Sequence, residues 1–157
     1  MAAALAGAVL ASGALGWAVQ AADDAKNVVA YRQNVMKGIA AHITQIAMVA
    51  KGEVSFTDQI AGNARSIATS AMAIPAVFPK GTAMGEAGVE TAAKPEIWQQ
   101  WDKFNASAEA LQAAANKLAE VADGGGDAAA IGAQLGELGK ACGGCHDNFR
   151  QKKEGEE

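Results

Sequence analysis

Cys142-Gly143-Gly144-Cys145-His146 stands eleven residues before the end of the 157-residue chain, and no cysteine occurs outside it. C-x-x-C-H is the attachment pattern of a c-type haem. Two thiols at this spacing add to the two vinyl groups of one porphyrin. The histidine that follows brings an imidazole to the iron as proximal ligand. On a helix, positions 142, 145 and 146 stand in i, i+3, i+4 relation and project from one side.

Other uses of the two thiols meet their own requirements poorly. A thioredoxin-like dithiol needs a βαβ setting, and nothing here reads as strands. A structural zinc site needs two further ligands. The only other histidine is His42, and there is no third cysteine. A plain disulfide would explain neither His146 nor the helical setting.

Working outward, half of the residues are apolar and only 5% aromatic, an alanine-rich mix that suits close-packed helices in one domain. With a net charge of −4 and no basic run, nothing points to nucleic acid. Arg150, Lys152 and Lys153 are followed at once by Glu154, Glu156 and Glu157, which reads as a solvated end. Ala2 to Val19 carries no charge and resembles the apolar region of a secretory signal, although no Lys or Arg precedes it. Residues 1–21 are expected to be removed after Val19-Gln20-Ala21, leaving a haem domain over 22–157. The competing reading is an uncleaved membrane anchor, for which a run of about eighteen residues is barely long enough. Export agrees with the motif, because covalent haem attachment in bacteria takes place on the periplasmic side of the membrane.

Four apolar-periodic segments follow. The first, after Asp23 and Asp24, carries Val28, Val35, Ile39, Ile43, Ile46 and Val49, with Gly52 just past its end. The second opens at Ser55-Phe56-Thr57-Asp58, a capping-box pattern, and carries Phe56, Ile60, Ala64, Ile67, Ala71 and Ile74 as far as Pro75. A long connection to Lys94 reads as a functional cover. The third runs from Pro95 to Ala122, with Trp98, Trp101, Phe104, Ala108, Leu111, Ala115 and Leu118 inward. Asp127 caps the fourth, which carries Ile131, Leu135, Leu138, Cys142, Cys145 and Phe149. The expected fold is all-α, an up-down-up-down four-helix bundle with one covalently attached haem.

In that topology the end of the fourth helix lies beside the start of the first. Met36 falls in the turns that face His146, whereas Met48 lies roughly 18 Å further along the axis. Two roles are open to Met36: distal ligand through its thioether, or an apolar lid over an empty sixth position. His42, roughly 9 Å beyond Met36 and on another face, reads as a polar helix residue. Arg32, one turn before Met36, suits a haem propionate. Arg150, four residues after His146, is placed to shield it.

Tyr31-Arg32-Gln33-Asn34-Val35-Met36, Lys51-Gly52-Glu53, Phe78-Pro79-Lys80-Gly81-Thr82, Lys94-Pro95-Glu96-Ile97-Trp98 and the motif through Asp147-Asn148-Phe149-Arg150 together resemble the cytochrome c′ family, the class II c-type cytochromes. The resemblance spans about Asp24 to Lys153. It implies a periplasmic protein with one haem c, often a homodimer through the first two helices. It puts Met36 at the distal position, Arg32 and Gln33 near the haem edge, and Arg150 near His146. High-spin members leave the iron five-coordinate and bind nitric oxide or carbon monoxide, whereas low-spin relatives ligate it with methionine.

The function expected is electron transfer with periplasmic redox proteins through Fe(III)/Fe(II) haem. The alternative is a five-coordinate protein that binds a diatomic gas. No acid–base pair, nucleophile or substrate pocket is evident, so the chain does not read as an enzyme.

Overall fold

The structure, a computed structural model, describes residues 24–152 apart from 87 and 89. The expected signal segment and the acidic tail lie outside the described residues. Among those described, no helix is long and apolar enough to cross a membrane.

Helix α1 spans Ala25–Ala50, and the Asp24 carboxylate caps it by accepting from the Lys26 N–H at 2.7 Å. At its far end Gly52 takes φ +73°, so the Gly52 and Glu53 amides fold back onto the carbonyls of Val49 and Met48. That pair of bonds satisfies carbonyls the helix leaves open, and only glycine adopts the conformation without strain. A 3₁₀ turn, Thr57–Gln59, leads into α2, Ile60–Ala73. A second 3₁₀ turn begins at Pro75, where the lost N–H ends the α-helical ladder. After an irregular crossover come α3, Glu96–Gln99, α4, Trp101–Asp123, and α5, Ala128–Phe149. Asp127 caps α5 by accepting from the Ala130 N–H at 2.8 Å.

The four long helices form the expected bundle. α2 lies between α1 and α4, and α5 lies between α4 and α1. α2 and α4 pack most closely because they meet through small side chains, among them Ala64, Ala68 and Ala71 on one and Ala108, Ala115 and Ala119 on the other. α1 and α5 make the loosest of the four side contacts. Ile46, Ile67, Leu118 and Leu138 fill the middle of the core.

Four expectations change. The third segment is not one helix: Gln100, at φ −123° and ψ 46°, separates the single turn α3 from α4. The Ser55 side chain makes no cap, since the chain enters α2 through a 3₁₀ turn rather than an α-helical first turn, and Asp58 accepts from Gln59 instead. Phe56 is 61% exposed, because that turn lies outside the α2 register. On α1 the inward row is Val29, Arg32, Ile39 and Ile46, with Val28 only half-buried, so a guanidinium occupies a place on the core stripe.

Candidate haem site

On the last turns of α5, Cys142 and Cys145 are half-buried and pack against the core. Gly143, Gly144 and His146 are exposed. The three motif residues are therefore placed unequally: the thiols turn inward and the imidazole stands at the outer margin. One turn on, Phe149 is buried and meets Phe104 of α4 edge-on. Phe78 and Trp101 extend this aromatic wall from the crossover and from the start of α4. The Trp98 indole donates to the Phe78 carbonyl at 3.0 Å. A groove of about 430 Å³ opens beside the wall, lined by Pro75, Phe78, Pro79, Lys80, Trp98 and Trp101.

Burial pushes both thiols above the usual cysteine range. For Cys145 a hydrogen bond with Ser107 offsets part of that rise and the neighbouring Cys142 adds to it. As thiols, Cys142 and Cys145 would supply the sulfur and the proton for addition across the vinyl groups of a porphyrin. Among the described residues no three His, Cys, Asp or Glu side chains gather to hold a metal ion directly. Paired inward thiols, an adjacent imidazole and an apolar aromatic wall fit a porphyrin and do not fit a bare metal.

On α1, Met36 is half-buried and packed on the core, whereas Met48, Met72 and Met84 are exposed. Arg32 is only 2% exposed. It donates to Thr82 Oγ1 at 2.7 Å, to the Thr82 carbonyl at 2.6 Å and to Thr91 Oγ1 at 2.7 Å. Its guanidinium carbon lies 4.7 Å from the centre of the Phe78 ring. Burial lowers its pKa to about 10, which leaves it charged at neutral pH. Gln33 is exposed and donates to the Glu90 carbonyl at 3.0 Å. Arg150 is half-buried and ends α5, its amide donating to the His146 carbonyl at 3.0 Å before the chain turns to extended backbone. His42 lies apart, bonded to Asn63 of α2 at 2.7 Å.

The structure ties Arg32 and Gln33 of α1 to the crossover, whose Ala92 and Lys94 in turn pair with Gln151 and Phe149 just after the motif. The sequence does not single out Thr91, Phe78 or Ser107 as site residues. A buried arginine on a core stripe is the signal that acceptors must lie opposite it, but periodicity does not say which.

A family model described as Cytochrome C' matches residues 27–150. The cytochrome c' of Pararhodospirillum photometricum is 37% identical over 124 residues, covering 78% of this chain and 95% of that one. Among solved structures, cytochrome c' from Rhodobacter Spheriodes superposes with a TM-score of 0.75 at 31% identity, covering 83% of this chain and all of that one. A nitric oxide complex of a variant of cytochrome c prime from Alcaligenes xylosoxidans superposes with a TM-score of 0.72 at 31% identity, covering 84% and 99%. Proteins of this family are non-enzymatic and carry one covalent haem c. With two cysteines, at 142 and 145, to hold that haem, this chain belongs to the cytochrome c′ family.

Proposed function

We propose that the chain is a periplasmic mono-haem cytochrome that passes single electrons between small redox proteins, after export and removal of residues 1–21. The observation that carries this reading is the placement of Cys142 and Cys145: half-buried against the core, with the exposed Gly143 and Gly144 between them. A group bonded to both sulfurs is held between apolar interior and surface, which suits electron exchange with a docked partner. When bound, the haem supplies one-electron Fe(III)/Fe(II) chemistry. In this reading Cys142 and Cys145 form the thioethers, His146 is the proximal ligand, and Met36 faces the other side of the iron. Arg32 and Gln33 stand near the haem edge, and Arg150 flanks His146.

A second reading, binding of a diatomic gas, draws support from the solved relative that holds nitric oxide. The absorption spectrum of the ferrous protein with and without carbon monoxide separates the two. A low-spin spectrum indifferent to carbon monoxide removes the gas binder; a large change on adding the gas removes the pure electron carrier. Tyr31, Met48, Phe56 and Met72, all exposed, belong to α1, α2 or their link and support a homodimer through those helices.

A further inference from the structure

Four consecutive residues join α1 to the exit of α5. Thr91 Oγ1 accepts from Arg32 of α1 at 2.7 Å and from the Ala93 amide at 3.2 Å. The Ala92 carbonyl accepts from the Gln151 amide at 2.8 Å, and the Lys94 amide donates to the Phe149 carbonyl at 3.0 Å. Ala93 pairs antiparallel with Arg150, whose own amide holds the His146 carbonyl. The tie therefore runs from the turn before Met36 to the turn after His146, across the loosest seam of the bundle.

Arg32 makes a firm anchor for it. The side chain is buried, two further bonds to Thr82 fix its plane, and Phe78 lies against it. Its charge meets neutral oxygens, each of which is costly to lose because the guanidinium has no water to turn to.

We infer that Thr91 is a positioning residue: by holding Arg32 it sets the spacing of α1 and α5, and hence the environment of the haem between them. This rests on the reading that His146 and Met36 face the haem from those two helices. The remaining steps are mechanical. If the Thr91 hydroxyl is lost, Arg32 no longer holds the Thr91–Lys94 segment, the two bonds to α5 open more often, and water reaches the seam.

The test uses the haem-loaded protein. Thr91→Val keeps the shape and deletes the acceptor; Thr91→Ser keeps the acceptor. Amide hydrogen exchange at Lys94 and Gln151 is expected to quicken roughly tenfold in Thr91→Val and to return toward the parent rate in Thr91→Ser. The haem midpoint potential is expected to shift in the first variant and recover in the second. Gln151→Pro cuts the tie from its other end, where the extended Arg150 backbone tolerates a following proline, and is expected to move the potential the same way. It also decides the matter should Thr91→Val not accumulate. Unchanged exchange, an unchanged potential, or a serine variant as altered as the valine one overturns the inference. Failure of the underlying haem placement reads differently: Met36→Ala then leaves the haem spectrum untouched while exchange still couples Thr91 to Gln151.

Discussion

The ring of Phe149, three residues past His146, meets the ring of Phe104 edge-on, with centroids 5.5 Å apart and planes at 87°. Phe104 also touches Phe78 at 4.9 Å and Trp101 at 5.6 Å, so one side chain of α4 joins α5, the crossover and its own first turn. Truncation empties that junction. Phe104→Ala is expected to lower the unfolding free energy by about 3–5 kcal/mol, measured by denaturant titration of the haem-loaded protein. A loss below about 1 kcal/mol would mean the cluster repacks freely.

Two glycines give opposite expectations. A Cβ at Gly126 would lie 2.5 Å from Val121 Cγ1 and 2.8 Å from the Val121 carbonyl oxygen, inside the turn that closes α4. Backbone cannot move aside cheaply, so Gly126→Ala should cost about 1–3 kcal/mol. Gly136 sits in mid-helix on α5, exposed, with nothing near its missing side chain. Gly136→Ala should stabilise by about 0.5–1 kcal/mol, through the entropy of the unfolded chain. Thermal melts of the pair, side by side, check both signs.

The bundle was legible because its four stripes follow the helical period and because Asp24, Gly52, Pro75 and Asp127 sit where helix ends need them. The break at Gln100 was not, since Trp98, Trp101 and Phe104 keep an inward spacing across it and glutamine carries no breaking signal. The Cys142–His146 motif was legible by spacing alone. Arg32 reads from the sequence as a partner for a haem propionate, and the structure commits three of its five donors to Thr82 and Thr91. Those partners come from 50 and 59 residues away along an irregular crossover, where no periodicity guides the eye.

The buried guanidinium gives a pH expectation. Its folded pKa is about 10, below the ordinary guanidinium range that stands for the unfolded chain. Both states therefore hold the proton below about 10, and the burial cost of the charge is fully present there. Above that, the folded protein releases a proton that the unfolded chain keeps, and the Arg32 contribution rises with pH. The stability difference between the parent and Arg32→Met is accordingly expected to be flat across the neutral range, by denaturant titration at several pH values. A slope between about pH 6 and 9 would show that another titrating group is coupled to the site.

Covalent attachment is tested by extraction. Haem should stay with the chain in acidified organic solvent, with Cys142→Ala or Cys145→Ala keeping a single thioether and the double variant losing its haem. Mass spectrometry of the denatured chain reads each case directly. Release of haem from the parent under the same conditions would end the covalent reading.

Met36 carries the last prediction, and burial now separates it from its competitors. Met36 is half-buried and packed on the core, one turn after Arg32, while Met48, Met72 and Met84 are exposed. Met36→Ala should therefore alter the haem, and Met48→Ala should not. Where the thioether is an iron ligand, its loss turns the ferrous spectrum high-spin and opens it to carbon monoxide. Where it is only a lid, the spectrum holds and carbon monoxide binds faster, because a flexible apolar side chain no longer obstructs the approach. Spectrum and rate both unchanged would remove Met36 from the distal side altogether. His42, held by Asn63 on the neighbouring helix, would then be the next residue to replace.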